Sequence, residues 1–148
     1  VRIAIGNDHR GCELKNTVIK VVMEAGHEFR DFGCYTEDAV DYPDIAVQVA
    51  EAIVRGELDR GILICGTGIG MCIAANKVRG IRAAQCYDVF TAHRSRLHND
   101  AQICCLAAEE GDTKVKVIVE DFLNTEFEGG RHIARINKIK EIEDKQCQ

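Results

Sequence analysis

The sequence has no tryptophan, a single proline, and aromatic side chains at only 5% of its 148 positions. Its core must therefore be built from aliphatic residues, and one proline cannot furnish a linker between domains. Long hydrophobic runs are missing too. Nothing reaches the roughly 18 apolar residues that span a bilayer, and the opening Val1-Arg2-Ile3-Ala4-Ile5 reads as a strand rather than a charged leader. A cytoplasmic protein with no membrane partner is expected. Positive charge is not in excess either, since 19 basic against 24 acidic side chains leave a net charge of -5. That balance excludes a general attraction to nucleic acid, and basic residues matter only where they cluster. Without repeats or low-complexity segments, residues 1–148 are expected to form a single domain.

The eight cysteines form no Cys-x-x-Cys pair and no zinc-finger spacing with histidine, so no structural metal site is expected. Cys12, Cys34, Cys72, Cys86, Cys104, Cys105 and Cys147 read as reduced thiols, most of them small apolar residues in periodic segments. Cys65 has a different setting.

Hydrophobic residues make up 46% of the chain and charged residues 29%, the balance of a globular domain. Five β-rich runs, at 2–6, 28–32, 61–65, 81–86 and 102–106, alternate with helix-length amphipathic stretches. That alternation predicts a parallel sheet covered by helices on both faces. Ile62-Leu63-Ile64-Cys65 is apolar throughout, as a central strand should be. Leu14, Val18, Val21, Val22 and Ala25 mark a first helix that Gly26 stops. Pro43 opens a second whose inward stripe is Ala46, Val49, Ala50 and Ile53, closed by Gly56. Further helices are predicted at 69–77, 88–97, 112–123 and from 131 onward, with Asp88 and Asp112 as N-caps. The polar tail 140–148 reads as an exposed or frayed helix end.

In an open parallel sheet, ligands bind where the strands end. Cys65-Gly66-Thr67-Gly68-Ile69-Gly70 runs from a strand into a helix there, and its glycines leave main-chain N–H groups free to face an anion. Cys65 beside those amides is a candidate base or nucleophile. The same glycines also suit close packing of helix on sheet with Cys65 inert, and the loop alone does not decide between the two. It lacks the Gly-Lys-Ser/Thr ending of a nucleotide-binding loop, and it follows the third strand rather than the first, so nucleotide binding is disfavoured. Asp8 and His9 follow the first strand, where Asp8 is either a ligand contact or the cap of a helix beginning near Gly11.

Arg131 and Arg135 stand one helical turn apart and could converge on a phosphate dianion, or form a solvated basic face. His98 is either a proton shuttle or a partner for helix carbonyls. Tyr42, in Asp41-Tyr42-Pro43-Asp44, contacts a ligand or belongs to a capped turn.

Taken in order, Asn-Asp-His-x-Gly at 7, Asp-Tyr-Pro-Asp at 41, Gly-Ile-Leu-Ile-Cys-Gly-Thr-Gly-Ile-Gly-Met at 61, Ala-Ala-Asn-Lys-Val at 74, His-Asn-Asp-Ala at 98 and Phe-Glu-Gly-Gly-Arg-His at 127 resemble the type B ribose-5-phosphate isomerases. Galactose-6-phosphate and allose-6-phosphate isomerases belong to the same group. The resemblance implies a Rossmann-like three-layer αβα sandwich with a five-stranded parallel sheet. It also implies an enzyme of the pentose phosphate pathway that interconverts aldose and ketose sugar phosphates through a cis-enediolate, with no metal, nucleotide or other cofactor. A homodimer or tetramer is implied, with active sites between subunits and the helix from about 131 packed on a partner. By matching position, Cys65 becomes the general base and His98 the group that opens the sugar ring. Thr67 and the amides of Gly66, Gly68, Ile69 and Gly70 surround the enediolate oxygen. His9, Arg131 and Arg135 bind phosphate, Asp8 and Asn99 sugar hydroxyls, and Tyr42 the ligand.

Two positions depart from the pattern the resemblance implies. Ala107-Ala108-Glu109 stands where Gly-Ala-Arg is usual, and Arg10 stands where a small residue is usual, which would restore the missing positive charge. Glu109 also prompts a second reading, a binding protein that keeps the pocket without turnover. A thiol redox protein is a third, weakened because the adjacent Cys104 and Cys105 on one strand point to opposite faces.

Overall fold

The computed structural model describes residues 1–35 and 38–146, so the thiol reading of Cys147 and the end of the tail at Gln148 lie outside the described residues. Five parallel strands form one sheet in the order β2-β1-β3-β5-β4. They are β1 Arg2–Asn7, β2 Glu28–Asp31, β3 Arg60–Cys65, β4 Ala83–Gln85 and β5 Ile103–Ala107. The helices are α1 Cys12–Glu24, α2 Tyr42–Val54, α3 Ile69–Asn76, α4 Val89–Leu97, α5 Asp112–Asn124 and α6 Arg131–Gln146.

Alternation along the central strand divides the core in two. Ile62 and Ile64 of β3 join Ile3, Ile5 and Leu106 under α1, α4 and α5. Leu63 and Cys65 face the other way, with Ala4 and Cys105, toward α2 and α3. Ile62, Leu63 and Ile64 are wholly buried, and each contributes about 1.5–3 kcal/mol through removal of its side chain from water. The fully apolar run in the sequence is thus the mark of a strand covered on both faces.

The fourth strand is shorter than the sequence suggests. It lies at the sheet edge and pairs only with β5, from Ala83↔Ile103 to Gln85↔Cys105. Ile81 is drawn instead into the turn that closes α3, where its N–H donates to the Val78 carbonyl at 3.1 Å. Asp88 caps α4 as expected, accepting from Thr91 N–H in a reciprocal capping box. Asp112 does not cap α5. Gly111 takes that place with φ 87°, and Asp112 is the first helical residue, where its charge still favours the positive end of the helix dipole.

The last helix stands apart from the sheet. Only His132 and Ile136 of α6 are buried, while Ile133, Ile139 and Ile142 are exposed on it. An ion pair from Arg79 to Asp144 and a 2.6 Å hydrogen bond from Gly80 N–H to Glu143 tie its far end to the turn after α3. No helix among the described residues is long and apolar enough to cross a membrane.

Candidate active site

The chain reverses between β1 and β3, which neighbour each other although β1 is followed by β2 on its other side. A crevice at the carboxyl ends follows from that reversal. Cys65 ends β3 and is 5% exposed. Its Sγ accepts the Gly68 N–H at 3.1 Å, a bond for which a thiolate is the stronger acceptor. Gly68 makes this possible by taking φ 81°, with its Cα so close to Leu106 that a Cβ would lie 3.1 Å from the carbonyl oxygen. Thr67 Oγ1 accepts from Ile69 N–H at 3.2 Å, and the Thr67 carbonyl is held by Gln85 Nε2 at 2.7 Å.

Tyr42 reaches this loop from α2. A Cβ on Gly70 would stand 2.5 Å from the tyrosine ring, so the glycine is what lets the ring lie against the start of α3. From the other side come Asp8 and His9. Asp8 N–H donates to the Ile64 carbonyl at 3.0 Å, extending the pairing of β1 with β3. Its carboxylate accepts from Arg10 N–H at 2.9 Å and so caps the short 3₁₀ turn His9–Gly11; the expected cap is real, but on that turn rather than on α1. His9 Nδ1 accepts from Val40 N–H at 3.4 Å, which links the turn to the segment before α2. An open cleft of about 580 Å³ adjoins the loop at Gly66 and is lined by His9, Arg10, Glu13 and Glu109 among others. Cys65 and Tyr42 are not among the residues that line this cleft, and Cys65 packs into the core beneath α2 and α3.

A second set lies elsewhere. His98 follows the last residue of α4, and Asn99 begins the connection to β5. The His98 ring stacks on His132 of α6, with centroids 4.2 Å apart. Glu128 Oε2 lies 3.1 Å from His132 Nε2 and 3.9 Å from His98 Nε2. The Arg94 guanidinium, which can only donate, lies 3.3 Å from His98 Nε2. Partial burial, then the neighbouring His132 and Arg94, hold the His98 imidazole below its ordinary pKa against the opposing pull of Glu128. That shift favours the neutral ring, which can accept a proton. Arg131 and Arg135, both exposed, sit on the first turns of α6 beside this pair.

The ligand atoms of His98, Glu128 and His132 lie within 4.8 Å of one another, a spacing that suits a divalent ion. The surroundings suit an anion better, because Arg94 already engages His98 and Arg131 stands next to His132.

These two sets do not meet within one chain. Cys65, Gly66, Thr67, Gly68, Ile69, Gly70, Tyr42, Asp8 and His9 gather at the carboxyl end of the sheet. The helix α4 leaves that end after β4 and returns to the amino end before β5, carrying His98 and Asn99 with it. α5 makes the same return before α6 begins, and Glu128 N–H there donates to the Leu97 carbonyl at 3.0 Å. A strand of six residues separates the two ends by roughly 20 Å.

Sequence reading missed three residues around these sets. Asn7 braces the Asp8 carbonyl through Nδ2 at 2.9 Å, and its buried Oδ1 has no hydrogen-bond partner among the described residues. Glu128 and His132 frame His98, and their i, i+4 spacing was the available signal.

A family model described as Ribose/Galactose Isomerase matches residues 3–139. The ribose-5-phosphate isomerase B of Escherichia coli (strain K12) is 43% identical over 145 residues, covering 97% of both chains. The D-erythrulose-4-phosphate isomerase of Pectobacterium atrosepticum is 46% identical, covering 93% of this chain and 91% of its own. The solved structure of Clostridium thermocellum ribose-5-phosphate isomerase B superposes with a TM-score of 0.96 at 49% identity, covering 99% of each chain. With its five-stranded parallel sheet, its Cys-Gly-Thr-Gly-x-Gly turn and this similarity along nearly its whole length, the chain belongs to the ribose/galactose isomerase family that includes the type B ribose-5-phosphate isomerases.

Proposed function

We propose that the protein is a cytoplasmic aldose–ketose isomerase that interconverts ribose 5-phosphate and ribulose 5-phosphate. The observation that carries this reading is the Cys65 sulfur held at 3.1 Å by the Gly68 N–H in the turn that opens α3. The family and the relatives' names support the reaction class.

His98, whose burial and neighbouring charges favour the neutral imidazole, takes the proton of the anomeric hydroxyl as the bond from C1 to the ring oxygen breaks, and delivers it to that oxygen, which opens the sugar. The Cys65 thiolate then takes the proton from C2 of the open aldose. The electron pair left behind forms the C1–C2 double bond, and negative charge passes to O1. The Thr67 hydroxyl and the main-chain N–H groups of the loop other than those of Gly68 and Ile69, which are already donated to Cys65 and Thr67, hold that charge, and such preorganised donors contribute about 10²–10³ in rate each. The Cys65 thiol then returns its proton to C1, the O2 hydroxyl proton passes to O1, and O2 becomes the ketose carbonyl, leaving Cys65 as thiolate again. No cofactor is needed for this transfer.

The full site forms between two copies of the chain. The carboxyl-end set of one protomer meets His98, Asn99, Arg131 and Arg135 of its partner in a dimer or a tetramer built from such dimers. His9 and the two arginines take the phosphate, while Asp8 and Asn99 take sugar hydroxyls. The exposed Ile69 and Ile73 beside the Cys65 loop, and Ile133, Ile139 and Ile142 on α6, are the apolar surface such an assembly would cover.

Glu109, an acid in the cleft next to the loop, favours a second reading in which the preferred sugar phosphate differs from ribose 5-phosphate. A panel of four-, five- and six-carbon sugar phosphates, assayed on the protein and on Cys65→Ala, tests both. Turnover of the five-carbon aldose that vanishes in Cys65→Ala is expected; undiminished turnover in that variant rejects Cys65 as the base.

A further inference from the structure

The cleft beside the loop has two walls and a floor. One wall is the 3₁₀ turn His9–Gly11 after β1, and the other is the 3₁₀ turn Ala108–Glu110 after β5. Because β1 and β5 flank β3, Gly66 at the end of β3 lies between them. Arg10 crosses this space. A Cβ on Gly66 would stand 3.0 Å from Arg10 Cδ and 2.9 Å from its NH1, so the arginine stem rests on the first residue of the Cys65 loop. The guanidinium continues toward Glu109, whose Oε1 is 3.9 Å away.

That separation is too long for a hydrogen bond, and the two side chains are 63% and 71% exposed. A pair of this kind is weak in water, and its members exchange partners readily. The cleft is also short of positive charge. Among the described residues that line it, Arg10 is the only permanently charged cation, facing the carboxylates of Glu13 and Glu109. A dianion entering beside Gly66 needs a fork of donors there, and it is repelled by the Glu109 carboxylate.

We propose that Arg10 is a specificity-determining contact for the anionic, non-reacting end of the substrate, and that Glu109 is the resting counterion which the substrate phosphate displaces. This rests on the reading of the protein as a sugar-phosphate isomerase and adds to it the residue that sets affinity for the phosphate on this protomer's side. The two side chains act with opposite sign. Arg10 tightens phosphate directly, whereas Glu109 weakens it by repulsion and by competing for the guanidinium. A less charged distal group gains less from Arg10, so the pair discriminates by charge.

Arg10→Gln, Glu109→Gln and the double variant test this. Inorganic phosphate is titrated into each by calorimetry, and KM and kcat are measured with ribose 5-phosphate. Loss of one charge-assisted contact weakens phosphate about tenfold in Arg10→Gln, with the rise in KM exceeding any fall in kcat. Glu109→Gln tightens phosphate and lowers KM. The double variant loses most of that gain, because Glu109 acts partly through Arg10. Unchanged phosphate affinity in Arg10→Gln, or shifts of the same sign in both single variants, overturns the proposal. Both side chains are exposed, so each variant is expected to keep the wild-type melting temperature, and a lowered one marks a structural role instead. Phosphate binding is read without turnover. A chain that binds phosphate through Arg10 but isomerises nothing therefore sinks the functional reading alone, and an active chain whose phosphate affinity ignores Arg10 sinks this proposal alone.

Discussion

The imidazoles of His98 and His132 lie face to face, 4.2 Å between centroids and 18° between planes. His98 follows the end of α4 and His132 lies on α6, and Glu128 Oε2 accepts a hydrogen bond from His132 Nε2 at 3.1 Å. His132 is buried and fixed by that bond, so it forms a wall against which the His98 ring is oriented. In the proposed ring-opening role His98 gains from such a wall, since misplacement of a reacting group is expensive in rate.

The depressed pKa of His98 sets an expectation for pH dependence. Arg94 is one of the groups lowering it, after burial and His132. Removing that charge in Arg94→Ala raises the His98 pKa, so protonation sets in at higher pH and the neutral ring is lost sooner on acidification. The acidic limb of kcat/KM measured with cyclic substrate should move toward neutrality in this variant. A limb that stays in place, or moves to lower pH, contradicts the role given to Arg94.

Gly70 is expected to be intolerant of a side chain for a reason specific to Tyr42. Gly70→Ala places a methyl 2.5 Å from the ring, and the ring must leave. Stability should fall by the roughly 1–3 kcal/mol typical of overpacking and KM should rise, while Tyr42→Ala combined with Gly70→Ala should restore stability lost to the clash. Steady-state kinetics and thermal melts of the three variants check this. An indifferent Gly70→Ala would place the tyrosine away from the loop.

The cysteines should differ sharply in reactivity. A hydrogen bond from Cys105 lowers the Cys72 thiol to about 7, outweighing the opposing effect of burial, whereas Cys104 and Cys105 are raised well above the ordinary range by neighbouring thiols and burial. Alkylation of Cys72 followed by peptide mapping should therefore grow through neutral pH, while Cys104 and Cys105 stay unmodified in the folded protein. Cys105→Ala, by deleting the donor, should slow labelling of Cys72 at pH 7. Equal labelling of Cys72 and Cys104 would contradict the assignment.

Much of this architecture could be read in the residues. The run Ile62-Leu63-Ile64-Cys65 predicted the doubly covered strand because periodicity vanishes when both faces are buried. Asp88 predicted its cap from side-chain type alone. Where reading failed, pairing decided: Ile81 has the composition of a strand residue, but at a sheet edge with one neighbour it serves the turn after α3. The candidate residues were legible as types, and their distribution was not. Nothing local in Cys65 or His98 says that they stand at opposite ends of a sheet; that follows from strand order and from the return of α4. His132 and Glu128 escaped notice because their role depends on contact with α4, thirty residues earlier in the chain.

The central claim is that one active site needs two chains, and subunit complementation tests it most directly. Cys65→Ala and His98→Asn are each expected to be inactive on cyclic ribose 5-phosphate. When the two are co-expressed, half of the dimers pair one of each kind, and in a two-fold dimer such a pair contains one site with both residues intact. Activity should return to about a quarter of the wild-type value. A mixture that stays as inactive as its parents, although mixed dimers are demonstrated by mass, would contradict the account.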